Sequence, residues 1–289
     1  MITISTVSSE NKKTKMDVAP AEVNPRDLVK RDDVRRVLIK DLGENSVLES
    51  FVIKDFTDVG DNYTCIVTRV EVVYTNDGKT YNTSYVAKVN PGVGSFFTTI
   101  SENMFGKEIG FYSEILPLIN RELALVGEKN LRVPKYFHAV TEKSGEVIYM
   151  EDLHRNGFRM FDRMKGMDKF HTLLVLEELA RLHAASVLLF SRDEYKGVDI
   201  LEKHTILKDK LQVFQDKKKS KQMESVFEQM VENNAKMVEA LGGYQHVVDF
   251  FRGLKGNEAI ERYSRLYVCE APFTMIVHGD CWNNNFLFR

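Results

Sequence analysis

Hydrophobic and polar residues alternate along much of the first half of the chain, which is the pattern of β-strands. These segments are also rich in β-branched and aromatic residues, and glycine or asparagine follows several of them. The Asp-Gly pair in Asn76–Lys79 favours a tight turn, so two of the strands are predicted to form a hairpin. The predicted strands are Ser50–Thr57, Tyr63–Tyr74, Thr80–Val89, Arg132–Thr141 and Glu146–Glu151.

Other hydrophobic positions recur every three to four residues, which predicts amphipathic helices. Asp32–Asp41 precedes the first strand, and Glu102–Asn120 lies between the third strand and the fourth. Asp168–Phe190 then begins a long helical region, and residues 202–264 contain further segments with helical spacing. The chain is therefore predicted to pass from strands with one intervening helix to a region made mainly of helices.

This order predicts an α+β fold with a cleft between two parts. Residues 1–30 are polar and lack periodicity, so we interpret them as a flexible tail. The strand-rich part covers residues 31–153, and the helical part covers residues 154–289.

The composition narrows the classes of function. The chain has 289 residues with 40 Lys and Arg against 42 Asp and Glu, a net charge of −2. Without a basic excess, nucleic acid is not an expected partner. The three cysteines have no metal-type spacing, the first residues lack a signal sequence, and no segment reaches the ~18 apolar residues of a membrane span. We therefore expect a cytoplasmic protein.

Glu108 is unusual because it occupies the apolar face of its predicted helix. Met104, Phe111 and Ile115 share that face at helical spacing. An unpaired carboxylate buried there would cost several kcal/mol or a large pKa shift, so Glu108 needs a partner. The alternative is that this face borders the cleft and that Glu108 contacts water.

Two weaker signals lie in the strand region. Strand alternation places Lys88 opposite Tyr85, Ala87 and Val89, near the end of an apolar strand, from which it could pair with Glu108. A lone lysine in a strand is more often a surface residue. Residues 59–63 contain a glycine turn between two strands that could place backbone N–H groups over phosphates, but a single glycine is weak support.

The last segment has the strongest functional pattern. In Ile276–Phe288, His278 and Asp280 are followed by Asn285 with the spacing H-x-D-x-x-x-x-N, between two apolar segments that we predict as strands. This is the spacing of a phosphotransferase catalytic loop. Asp280 could accept the proton of an attacking hydroxyl, and the amide oxygen of Asn285 suits Mg²⁺. The alternative is an ordinary turn.

Several segments occur together in an order that resembles the ecdysteroid-kinase-like (CHK kinase-like) family of small-molecule kinases, which is related in fold to choline and aminoglycoside kinases. The resemblance covers about residues 35–289, and its most specific part is the His-Gly-Asp segment with Trp282, Asn284 and Asn285. The segments that carry it are Val59–Tyr63, Ala87–Val89, Phe105–Pro117, Val147–Leu153, Leu179–Ala184 and Val277–Phe288.

The resemblance implies a protein-kinase-like fold of two lobes with ATP and Mg²⁺ bound between them, and a hydroxylated small molecule, such as a steroid alcohol, as the acceptor. It implies that Lys88 holds the ATP phosphates, that Glu108 pairs with Lys88, that Asp280 is the catalytic base and that Asn285 is a Mg²⁺ ligand. It places Gly60, Asp61 and Asn62 in the turn over the phosphates, and it places Met150, Glu151, Asp152 and Leu153 in the connection near adenine.

The sequence departs from the family pattern at its end. It stops at Arg289, whereas family members continue with an Asp-Phe-Gln-type motif whose aspartate chelates Mg²⁺. We therefore expect an incomplete helical lobe, and either a fragment or a non-catalytic relative that binds ligand. A further alternative is a helical interaction protein that uses the methionine-rich stripe from Met223 to Met237, although such stripes are more often core.

Overall fold

The computed structural model describes residues 24–56, 65–90, 104–142, 145–162, 165–208, 217–254, 258, 261–262 and 274–289. Within these ranges, a region of strands precedes a region of helices, as predicted. The strands are β1 Val47–Asp55, β2 Ile66–Asn76, β3 Lys79–Val89, β4 Tyr136–Val140, β5 Val147–Glu151, β6 Arg159–Met160 and β7 Leu287–Phe288. The helices are α1 Arg31–Leu42, α2 over residues 104–125, α3 Lys169–Phe190, α4 Ile200–Lys203, α5 Lys217–Leu241 and α6 Gln245–Gly253.

Five strands form one antiparallel sheet in the order β1-β2-β3-β5-β4. The predicted hairpin is confirmed, because Asn76 pairs with Lys79 and leaves a two-residue loop between β2 and β3. Both loop residues have positive φ, 49° at Asp77 and 74° at Gly78. Such a loop matches the twist of the two strands, and it explains the Asp-Gly pair. The sheet followed by helices confirms the α+β class and is consistent with a kinase-like pair of lobes.

The main core of the first lobe lies between α1 and one face of the sheet. Tyr85, Ala87 and Val89 are buried on that face, as the alternation in β3 predicts, and Lys88 projects from the opposite face. The opposite face therefore borders the cleft. The buried residues of this core are Val29, Val34, Val37, Leu38, Leu48, Val70, Val72, Tyr85, Ala87, Val89, Phe137, Val147 and Tyr149.

Residues 24–30, which composition assigns to the tail, pack against this core. A 3₁₀ turn covers Pro25–Leu28, and the side chain of Asn24 caps it by accepting a hydrogen bond from Arg26 N. Val29 is buried, and Leu28 packs beside it. Packing of these two apolar residues attaches residues 24–30 to the core. Their polar neighbours in the sequence are the reason that a tail is predicted.

Helix α2 links the two lobes and contains a π turn at Phe111–Ile115. Phe105 and Ile109 before the turn, and Tyr112 near its start, pack against the cleft side of the sheet. After the turn, the helix continues through Leu116–Leu125 and contributes to a separate core. The single apolar face predicted for this helix is therefore wrong, because a π turn contains one more residue than an α turn and shifts the direction of the side chains beyond it.

The core of the second lobe forms around α3. Asp168 caps this helix by accepting a hydrogen bond from His171 N at 2.9 Å, so the helix begins one residue later than predicted. Helices α5 and α6 pack against each other. The buried residues of this core are Ile115, Ile119, Leu123, Leu131, Leu182, Ala185, Leu189, Tyr195 and Ile276.

Two predicted strands differ from the structure: the fourth strand is shorter than predicted, and the strand predicted before His278 is absent from the described residues. β4 begins at Tyr136 rather than at Arg132, because Pro134 has no N–H group to donate to a sheet. The segment before His278 has no strand among its described residues. There, Ile276 N donates a hydrogen bond to Ser186 Oγ at 3.0 Å, so this segment is attached to α3 instead.

Candidate functional site

Lys88 and Glu108 form an ion pair at the cleft. Lys88 Nζ lies 2.7 Å from Glu108 Oε1 and 2.6 Å from Oε2, so the ammonium group contacts both carboxylate oxygens. The side chains are 24% and 28% exposed. Strand β3 directs Lys88 away from the α1 core, and the first part of α2 brings Glu108 to it. The pairing that both sequence signals suggested is therefore present.

The charges around Lys88 keep it protonated. Burial lowers the pKa of Lys88, but the negative charges of Glu108 and Asp280, together with Cys65, raise it, and the net pKa lies above the ordinary value. The thiol of Cys65 has a raised pKa, mainly because it is buried, so it is neutral at pH 7. The contribution of Asp280 means that the His-Gly-Asp segment lies within electrostatic range of Lys88.

Asp280 and Asn285 form the polar part of the loop that precedes β7. Asn285 Nδ2 donates hydrogen bonds to Asp280 O and to Asp280 Oδ2, each at 2.8 Å. Gly279 has a φ of 78°, which favours glycine at this bend. Asp280 N donates to His278 Nδ1 at 3.3 Å. Desolvation is the main reason that the pKa of His278 is lowered, so its ring is neutral at pH 7 and can accept this hydrogen bond.

Contacts on both sides hold this loop. A 3₁₀ turn covers Asn283–Asn285, and Asn283 Nδ2 donates to Phe161 O at 3.0 Å. β7 pairs with β6, and the ring of Phe288 lies against His171 at the start of α3. The loop is thus attached to the second lobe at each end, which fixes Asp280 relative to α3.

The acidic side chains at the end of β5 and in the connection after it accept hydrogen bonds from other residues of the protein. Asp152 accepts hydrogen bonds from Arg69 Nε at 2.9 Å, Ser84 Oγ at 2.7 Å and His154 N at 3.1 Å. Glu151 accepts from Asn156 Nδ2 at 2.8 Å and, through its other oxygen, from the backbone N of residue 135 at 3.1 Å. Because these carboxylates are already hydrogen-bonded within the protein, the main chain of this connection is the part that can contact the base of a nucleotide.

The positions of the remaining predicted residues are as follows. Met150 is buried in the cluster of Phe105 and Ile148 at the back of the cleft. Leu153 begins a 3₁₀ turn that ends at Asn156. The predicted turn of Gly60, Asp61 and Asn62 lies outside the described residues.

Sequence reasoning missed Arg69 and Ser84, because each lies in a strand where a polar residue is ordinary. The signal that could have identified them is their alternation with Lys88, which places all three on the cleft face of the sheet.

Asp280 and Asn285 are the residues of this loop that suit a metal. Both offer oxygen ligands, and the two hydrogen bonds that Asn285 Nδ2 donates to Asp280 orient the Asn285 amide group. Mg²⁺ commonly takes one or two protein ligands and completes its shell with phosphate and water oxygens, so this donor set fits that ion. Within the described ranges there is no group of three or more His, Cys, Asp or Glu residues that could hold a metal without such additional ligands.

A comparison with known protein families identifies the family of this chain. The sequence profile of the ecdysteroid kinase-like family matches residues 59–289. The chain belongs to the ecdysteroid kinase-like family. No curated protein and no solved structure matches the chain.

Membership of the ecdysteroid kinase-like family implies a small-molecule kinase that uses ATP. The matched range includes Lys88, Glu108, Asp280 and Asn285. None of the helices in the described ranges has the length and apolar character needed to cross a membrane.

Proposed function

We propose that this protein transfers the γ-phosphoryl group of ATP to a hydroxyl group of a small molecule. The observation that supports this function best is the two-oxygen ion pair between Lys88 and Glu108 with Asp280 in electrostatic range. Phosphoryl transfer depends mainly on positioning and on stabilisation of negative charge, and this arrangement provides a fixed cation and a nearby carboxylate.

Each residue has a separate role in this proposal. Lys88 binds phosphate oxygens, and Glu108 keeps its ammonium group charged and oriented. Asp280 accepts the proton of the acceptor hydroxyl as the oxygen attacks phosphorus. Asn285 holds the Asp280 carboxylate through Nδ2, while its amide oxygen is available to a cation.

Asn285 is the ligand that we assign to Mg²⁺, because Asp280 is assigned to the proton of the acceptor hydroxyl. When bound, Mg²⁺ neutralises charge on the phosphates. The side chain of Asp280 is exposed, so the acceptor hydroxyl can reach it. We take a steroid alcohol as the first acceptor to test, because the family is named for ecdysteroid kinases.

The decisive experiment compares the wild type with Asp280→Asn in an assay for Mg-ATP-dependent phosphorylation of an alcohol library, read by mass spectrometry. We expect the variant to lose about 10²–10⁴-fold in turnover, the contribution typical of a general base. Its melting temperature should not change, because Asn can still accept the hydrogen bond from Asn285. Asp193→Asn, which alters a carboxylate that is 91% exposed, is the matched control and should retain full turnover.

Equal turnover in Asp280→Asn and Asp193→Asn would contradict the role of Asp280. A calorimetric titration with Mg-ATP separates binding from transfer. Saturable binding without product from any acceptor would instead support a protein that binds nucleotide but does not transfer phosphate.

A further inference from the structure

A cavity of about 330 Å³ lies beside the connection that follows β5. It borders the same face of the sheet as Lys88 but lies nearer to the start of β3. Ser84 and Lys88 are four residues apart on one strand, which corresponds to about 13 Å. The residues that line the cavity are Arg69, Glu71, Ser84, Asp152, His154, Arg155 and Arg159.

The two carboxylates of this cavity already have cationic partners. Asp152 is bound to Arg69, with a side chain that is 1% exposed. Glu71 pairs with Lys54, which lies outside the cavity lining, at 2.7 Å. The negative charge that faces the cavity is therefore compensated without Arg155 or Arg159.

Arg155 is held in place by neutral groups only. Its Nη2 donates to Asn82 O at 3.0 Å, and its Nη1 donates to Thr83 Oγ1. These contacts fix the guanidinium against β3. Within the part of the chain that the structure describes, no carboxylate lies within 4 Å of it, so its charge is not compensated by an ion pair.

Arg159 is held in the same manner. Its Nη1 donates to His154 O at 2.8 Å and to Phe158 O at 2.7 Å. It too has no carboxylate within 4 Å among the described residues. A guanidinium has five N–H donors, so Arg155 and Arg159 each retain three for another acceptor.

Two residues of the cavity lining, His154 and Arg69, pack against the ring of Phe56. The ring of Phe56 stacks on His154 with centroids 4.4 Å apart, and the guanidinium of Arg69 lies over Phe56 at 4.9 Å. Burial is the main reason that the pKa of His154 is lowered, and the charges of Arg159 and Arg69 lower it further. His154 is thus neutral at pH 7, so the uncompensated charge comes from the two arginines.

We propose that this cavity is an oxyanion-binding subsite in which Arg155 and Arg159 bind a phosphate, sulfate or carboxylate group. Arginine suits such groups because its planar N–H donors match two oxygens at once. The distance of about 13 Å along β3 means that the bound group is not the one held by Lys88. It is a second anionic group. It is either a phosphate on a ring hydroxyl of the ribose of a nucleotide, or a free small anion. The subsite does not depend on whether the chain transfers phosphate.

Calorimetric titration with inorganic phosphate tests this subsite. The parent protein is Lys88→Met, which removes the other cation of the cleft that could bind phosphate. We expect Arg155→Gln/Arg159→Gln in this background to bind phosphate at least about tenfold more weakly. Arg35→Gln, which removes the same charge at an exposed position of α1 on the other side of the sheet, should bind as the parent does.

A second measurement uses the wild-type protein and does not rely on the folding of the variants. The Nε–Hε signals of Arg155 and Arg159 in an NMR spectrum should shift on addition of phosphate, and the signal of Arg35 should not. The subsite is refuted if phosphate fails to bind the parent, if the double variant binds it as tightly as the parent, or if Arg35→Gln weakens binding equally.

Two nucleotides distinguish the sources of the anion. Adenosine 3′,5′-bisphosphate carries a phosphate on the 3′ oxygen of its ribose, whereas the 3′ hydroxyl of ADP is free. If the double variant weakens binding of the bisphosphate but not of ADP, the subsite accepts a nucleotide-borne phosphate. If it weakens only inorganic phosphate, the subsite accepts a free anion. Loss of Mg-ATP binding in Lys88→Met with phosphate binding retained would separate this subsite from the proposed transfer site.

Discussion

Replacing Glu108 with Gln tests the ion pair that defines the cleft. Gln has nearly the same size and keeps an acceptor oxygen, so the change removes mainly charge. Two unit charges about 4 Å apart attract each other by about 1 kcal/mol in water and about 4 kcal/mol at the effective dielectric near a protein surface. Lys88 and Glu108 are 24% and 28% exposed, and their desolvation offsets part of this attraction. We expect a loss of about 1–2 kcal/mol in the free energy of unfolding.

The effect should depend on pH in one direction. The pKa of Lys88 is raised in the folded protein above its ordinary value of 10.5, because Glu108 and its other neighbours outweigh burial. A group whose pKa is raised on folding stabilises the folded state fully when the pH lies below its pKa in the unfolded chain. This stabilisation is lost as the pH rises through its pKa in the folded protein. The difference between wild type and Glu108→Gln should therefore be constant from about pH 7 to about pH 9, and it should decrease above about pH 10.5.

Urea unfolding followed by far-UV circular dichroism measures both effects. Glu194→Gln is the matched control, because Glu194 forms an ion pair with Arg121 in which both side chains are 49% exposed. Exposed pairs contribute little, so its midpoint should remain near that of the wild type. If Glu108→Gln loses no more stability than Glu194→Gln at about pH 7, the pair does not stabilise the cleft as we infer.

Two further predictions concern packing and a buried polar group. A Cβ at Gly110 would lie 2.7 Å from Ile206 Cγ2 and 2.9 Å from Ile206 Cδ1, so Gly110→Ala should cost about 1 kcal/mol in thermal unfolding. Adding Ile206→Val, which removes Cδ1, should recover part of this cost, and an unchanged melting temperature of Gly110→Ala would contradict the close approach. Asp152 accepts from Arg69 and Ser84 through Oδ2 and from His154 N through Oδ1. Asp152→Asn directs an amide N–H₂ group toward one of these two sets of donors, so it should cost about 2 kcal/mol in urea unfolding, and a cost below that of Glu194→Gln would contradict the role of Asp152 as an acceptor for both sets.

Alternation within strands predicted the sheet well because each β position has only two possible faces. The placement of Tyr85 and Ala87 in the core and of Lys88 at the cleft follows directly from this period. The same reasoning extended β4 too far, since Arg132 has apolar neighbours but Pro134 cannot donate to a sheet.

The candidate site was partly predictable for a different reason. Asp280 and Asn285 are close in sequence, so a short turn brings them together, and a motif can record that geometry. Arg69 and Asp152 are 83 residues apart, and their contact depends on the order of the strands in the sheet. A single sequence gives no local signal for such a pair, nor for the cavity beside Arg155.

Helix α2 also limits how the cleft can change its width. A regular α-helix turns by about 100° for each residue, so the extra residue in the π turn at Phe111–Ile115 rotates the part after it by about that amount. Glu108 can therefore face Lys88 in one lobe while Ile119 is anchored in the core of the other. Because a single helix serves both, the spacing of the lobes and the geometry of the ion pair are mechanically coupled. Deleting one residue within the π turn would restore the α-helical phase. Either the ion pair of Glu108 with Lys88 or the packing of Ile119 in the core of the second lobe would then be lost.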